Sequence, residues 1–123
     1  MEQIELHSHI NGYHVYKDIW NPVIGENLRG EMEPTNIEDP YAVCVKKENL
    51  VVGHLERGYD GKLSQTIYFF LRADQSASCR ITVTGHPVNM GDNLGMKVPC
   101  TIEVRGRREY IRVLGTTLSN YIV

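Results

Sequence analysis

Through most of this chain, apolar and polar residues alternate with a period of two. Leu6, Ser8 and Ile10 share one face of an opening strand. Tyr13 and Val15 carry the alternation past Asn11-Gly12, which reads as a break or bulge in that strand. Lys17 to Pro22 is a loop in which Trp20, the one tryptophan, caps the end of a barrel. Val23 to Glu33 is a second strand region carrying Ile24, Leu28 and Met32. A sharp polar turn follows, in which Asn36 and Asp39 satisfy local backbone groups with short side chains. Ala42 to Lys47 is the third strand and Leu50 to Leu55 the fourth, joined by a tight hairpin at Lys47-Glu-Asn49.

The period then changes. After a loop at Gly58 to Gly61, Leu63, Ile67, Phe70 and Leu71 fall at i, i+4, i+7 and i+8, one face of a short helix. Period two returns from Ser78 to Thr84, with Cys79, Ile81 and Val83 inward, and again from Val98 to Arg105, with Cys100, Ile102 and Val104 inward. Between them, His86 to Lys97 contains Pro87, Gly91, Gly95, Asn89 and Asn93, and reads as a long loop. Residues 1–106 make one domain, and 107–123 a C-terminal strand or an extension of it; the stretch from Arg107 to Val113 would then be an edge open to a partner. Short strands at this spacing with one or two short helices predict a mainly β protein, a small barrel of about six strands.

A chain of 123 residues with 41% apolar residues fits one folded domain. Its formal charge of −2 argues against coating nucleic acid by charge alone, though not against a small site that grips one end of a strand. Cys44, Cys79 and Cys100 all lie in apolar runs with no CxxC pair, as buried reduced thiols do, so a disulfide framework or structural zinc is not expected. No apolar run approaches ~20 residues, and the opening Met-Glu-Gln-Ile-Glu-Leu-His lacks the features of a signal peptide. The expectation is an intracellular protein without a membrane partner, nuclear if eukaryotic.

Candidate chemistry is sparse. His7 and His9 share a strand face and His14 follows, but three or four converging zinc ligands are not promised by that spacing. Glu31, Glu33, Glu38 and Asp39 cluster near the polar turn, where carboxylates can hold a cation or simply face water. Arg105, Arg107, Arg108 and Arg112 can meet phosphates or line a solvated face. Tyr13, Tyr16, Tyr41 and Tyr59 lie near polar turns, a mixture with basic residues that suits stacking on unpaired bases. There is no phosphate loop, GxSxG, HExxH or nucleophile dyad, so neither an enzyme nor a cofactor is expected.

One series is more specific. Gly12-Tyr-His-Val-Tyr16, Gly25-Glu-Asn-Leu28, Glu33-Pro-Thr-Asn-Ile-Glu-Asp-Pro-Tyr-Ala-Val-Cys-Val45, Val52-Gly-His-Leu55 and Val98-Pro-Cys100 together resemble the HIRAN domain, from about Ile10 to Gly106. That module occurs at the N-terminus of a helicase-like remodelling enzyme and as stand-alone proteins. The resemblance implies an OB-like β-barrel with helical insertions that binds the free 3′ end of single-stranded DNA in DNA repair or replication-fork processing. It implies that Asp39 accepts from the terminal 3′-hydroxyl, that Tyr16 stacks on a base or bonds a phosphate, and that His54 and Arg57 lie along the strand, with His14 at a basic position. It also implies that any helicase or ATPase activity belongs to a protein partner.

The pattern departs in two places: Val15 takes the first position of an aromatic pair, and Glu38 stands where a tyrosine flanks the aspartate. Tyr13, Tyr41 and Tyr59 are the candidate substitutes. An alternative reading is a protein-interaction or small-ligand barrel that has lost the DNA pocket; a metal-dependent nuclease built on Glu38 and Asp39 is the third.

Overall fold

The computed structural model describes residues 1–89 and 95–123, without the side chain of His14. Its strands are β1 (Glu2–Asn11), β2 (Asn27–Met32), β3 (Val43–Lys47), β4 (Leu50–Leu55), β5 (Ser78–Val83), β6 (Val88–Asn89) and β7 (Met96–Gly106). The helices are α1 (Tyr13–Tyr16), α2 (Leu63–Ala73) and α3 (Arg108–Thr117), with a 3-10 turn at Ser119–Tyr121. The sheet runs β1-β4-β3-β2-β5-β7, all antiparallel, and β1 returns to β7 to close a six-stranded barrel; β6 adds a short strand to β7.

Closure rests on β1. Its length pairs with β7 from Glu2 opposite Gly106 to Ile10 opposite Val98, while Ile10 and Asn11 also pair with Leu55 and His54 of β4. That double use needs a close approach. A β-carbon at Gly53 would lie 2.6 Å from Ile10 Cγ2 and 2.7 Å from the Asn11 carbonyl, so glycine is required there. The inward alternation puts Leu6, Ile10, Val43, Val45, Val52, Ile81, Val83, Val98, Ile102 and Val104 in one core at 0–1% exposure. Trp20 joins it, its indole N–H donating to Glu26 Oε1 at 3.2 Å.

Four regions differ from the alternation seen in the sequence. The second strand begins at Asn27 rather than Val23, and Val23 and Ile24 lie in the loop before it, both exposed. Gly12 adopts φ +90°, which ends β1 and turns the chain into α1, so Tyr13 and Val15 are helical rather than a bulged continuation of the strand. The His86–Lys97 stretch is not wholly loop: Val88 and Asn89 pair with Lys97 and Met96, and its tip, residues 90–94, lies outside the described residues. The stretch after Arg107 is α3, not a strand. Ile111, Leu114 and Leu118 are spaced i, i+3, i+7, a helical face, and all three are buried against the barrel and α2. It therefore offers no edge to a partner. The tail beyond it lies along β1, with Ile122 bridged to Leu6 and the Val123 amide donating to the Glu5 carbonyl.

Candidate functional site

The turn between β2 and β3 is held by side chains, because it leaves the sheet and cannot use ladder bonds. The Glu33 amide closes its base on the Ala42 carbonyl at 2.9 Å. Asn36 Oδ1 accepts the amides of Glu38 (2.9 Å) and Asp39 (3.0 Å), and its Nδ2 donates to Glu33 Oε1 at 2.8 Å. Asp39 Oδ1 accepts the Tyr41 amide at 3.0 Å. Each short polar side chain thus fixes the backbone two or three residues on, as the sequence suggests.

Two elements bring partners to this turn. His54 stands on β4 between Asn11 of β1 and Cys44 of β3, and its Nε2 donates to Glu33 Oε1 at 2.8 Å. Tyr16, at the end of α1, has its ring centroid 6.5 Å from that of His54. Arg57, just past β4, donates through Nε to Asp39 Oδ2 at 3.3 Å. Tyr16, His54, Glu33, Asn36, Asp39 and Arg57 therefore form one connected patch, although they come from three separate segments.

The remaining candidates are placed differently. The backbone of His14 lies in α1; its side chain lies outside the described residues. Tyr13 is half-buried against the core rather than open for stacking. Tyr41 gives its amide to Asp39, but its ring packs on Phe69 (4.9 Å) and Tyr68 (5.7 Å) of α2. Glu38 is exposed on the turn. The acidic cluster is divided: Glu31 pairs with Arg29 (2.9 Å) and Lys46 (3.4 Å), away from Asp39. His9 pairs with Glu56, and among the described residues no three metal-ligating side chains converge.

Glu33 is central to the patch, although in the sequence it stands out only as one carboxylate of the acidic cluster and by its Glu-x-x-Asn spacing to Asn36. Burial alone would raise its pKa, but hydrogen bonds from His54 and Asn36, with the His54 charge, bring it below 4.5. For Tyr16, burial and the neighbouring Glu33 and Cys44 raise the phenol above 10.0, keeping it a neutral O–H donor. Burial and Glu33 likewise raise the Cys44 thiol, which favours its protonated form.

Chemically the patch is an acceptor site. Asp39 meets Arg57 and Glu33 meets His54, and a carboxylate with an open oxygen accepts a hydroxyl donor and repels a phosphate. Asp39 Oδ2 has Arg57 as its one partner among the described residues, and the Asp39 side chain is 22% exposed, so it keeps capacity for a further donor.

No protein-family model matches the sequence, and no curated protein matches it. Among solved structures, the HIRAN domain of human HLTF superposes with a TM-score of 0.70 over 96% of this chain and 91% of that one, at 20% sequence identity. The barrel, its closing strand and its helices thus share the architecture of that domain, and this chain has the HIRAN fold.

Proposed function

We propose that this protein is a non-catalytic module that recognises the free 3′ end of single-stranded DNA. The observation that carries the reading is the Asp39 carboxylate, held at Oδ1 by the Tyr41 amide, with its backbone amide held by Asn36, yet open at Oδ2 beside Arg57. In this reading the 3′-hydroxyl donates to Asp39 Oδ2 while the Arg57 guanidinium contacts the adjoining phosphodiester. Tyr16 packs on the terminal nucleotide or donates to its phosphate, and His54 holds the floor through Glu33. The HIRAN fold and the match of Asn36, Asp39 and His54 to that family's pattern support it.

With Val15 and Glu38 in place of aromatics, few bases stack near Asp39. One or two stacked bases at ~1–3 kcal/mol each, together with the hydroxyl contact, give an affinity on the order of micromolar or weaker. A module this weak acts by directing something else, so the helicase or ATPase activity of DNA repair or fork processing would lie on a partner.

Fluorescence anisotropy with two short strands, one ending in a 3′-hydroxyl and one in a 3′-phosphate, tests this. The hydroxyl strand should bind at least about 10-fold tighter, since the phosphate meets the Asp39 carboxylate. Equal binding, or none, removes the reading. A second reading, docking of a protein partner, is favoured by Ile37, whose side chain is 98% exposed on the same turn. It predicts that Ile37→Asp leaves strand binding unchanged while abolishing partner capture.

A further inference from the structure

A cleft of about 440 Å³ lies beside the Asp39 patch, lined by His9, Asn11, Glu56, Arg57, Tyr59 and Lys97 and backed by Tyr121. Two residues join the cleft to the patch. Arg57 lines the cleft and holds Asp39; Asn11 lines it and pairs across the sheet with His54.

The chemistry of its walls is that of a nucleotide site. Tyr59 is 74% exposed, yet its ring has a neighbour on one side and a hydrogen bond at its hydroxyl. Its centroid lies 5.3 Å from that of Tyr121, and its phenol oxygen accepts from Asn120 Nδ2 at 2.7 Å. Tyr121 is itself anchored, donating to Asp60 Oδ1 at 3.1 Å. The platform is therefore fixed before any ligand arrives, which lowers the entropy lost on stacking. Among the described residues, Asn11 Oδ1 is buried and has no hydrogen-bond partner.

The acid in the cleft is already spent: Glu56 Oε1 takes Ser8 and His9, and Oε2 takes Lys97 Nζ at 3.0 Å. Lys97 keeps further ammonium donors, and Arg57, bonded to Asp39 through Nε, keeps its terminal N–H groups.

We propose that this cleft is a second nucleotide subsite. It takes the base of the third nucleotide from the 3′ end on Tyr59, with that nucleotide's phosphate beside Lys97 and the terminal N–H groups of Arg57. The proposal rests on the end-recognition reading. It supplies, on the far side of Arg57, the stacking surface missing at Val15 and Glu38.

The test is calorimetric titration with a thymidine dinucleotide and a thymidine hexanucleotide, both ending in a 3′-hydroxyl. The wild type should bind the hexanucleotide about 10-fold tighter than the dinucleotide, within what one base–aromatic stack provides. Tyr59→Ala should bring the hexanucleotide down to the dinucleotide level and leave the dinucleotide unchanged, whereas Tyr59→Phe should keep the preference. If the wild type binds both lengths alike, or Tyr59→Ala leaves the gap intact, the subsite is overturned. In that case the dinucleotide still discriminates a 3′-hydroxyl from a 3′-phosphate if the end-recognition reading is sound. If neither length binds, both fall together.

Discussion

Asp39 and Asp74 use the same local device to opposite ends. Each accepts the amide two residues on, Tyr41 for Asp39 and Ser76 for Asp74, and each has an arginine nearby, Arg57 at 3.3 Å and Arg107 at 3.8 Å. Asp74 is sealed at 1% exposure. Its oxygens also take the Ser76 hydroxyl and the Arg107 amide, so it ties the end of α2 to the start of α3. Nothing is left for a ligand. Asp39, on an open turn, has one oxygen held only by an exposed guanidinium. A carboxylate whose bonds are all internal builds a fold, and one with a bond to spare can build a site.

The largest expected effect breaks the structural half of that comparison. Asp74→Ala leaves the Ser76 and Arg107 donors without their buried acceptor, and should lower the melting temperature by on the order of 10 °C, measured by circular dichroism. Strand binding by the remaining folded protein should be unchanged.

The second prediction uses pH. Bonds from the Ser76 hydroxyl and the Arg107 amide, with the Ser76 amide and the Arg107 charge, hold the Asp74 carboxyl below 3.8 despite burial. A depressed folded-state pKa contributes stability that is complete above the unfolded value and lost as pH falls through the folded value. Urea midpoints should therefore decline as pH drops below about 3.8, and Asp74→Asn should flatten that decline.

Third, Asn36→Ala removes three hydrogen bonds from the β2–β3 turn and should cost about 1–2 kcal/mol of stability in urea titration. Hydroxyl-strand binding should fall with it, because the Asp39 and Glu33 carboxylates lose their setting. The smallest stability change is expected for Glu38→Tyr on the exposed turn, within about 0.5 kcal/mol. Its effect is on binding: one negative charge is lost and a stacking face gained, so the hydroxyl strand should bind about 5- to 10-fold tighter by anisotropy.

How much of this was legible follows from what each signal depends on. The barrel strands were readable because Leu6, Ile10, Cys79, Ile81, Val83, Cys100, Ile102 and Val104 are buried alternately along single strands, a local pattern. Tyr13 and Val15 alternate equally well, but the turn imposed by Gly12 at φ +90° overrides them. Ile111 and Val113 likewise imitate a strand. The i, i+3, i+7 set of Ile111, Leu114 and Leu118 carried the helical signal, and Val113 is 66% exposed because it faces away. In the patch, Asn36 and Asp39 were readable because their bonds stay within the turn. The Glu33–His54 bond joins residues 21 apart in sequence, and the pairing of β2 with β3 and of β3 with β4 brings them together.

The central claim is that the spare capacity of Asp39 reads a hydroxyl end. The most direct measurement is the ratio of affinities for 3′-hydroxyl and 3′-phosphate strands in the wild type, Asp39→Asn and Asp74→Asn, each confirmed folded. The account predicts a ratio of about 10 or more in the wild type and in Asp74→Asn, and a ratio near one in Asp39→Asn, which keeps the size of the side chain but loses its charge. A ratio that survives Asp39→Asn, or that is already near one in the wild type, would contradict it.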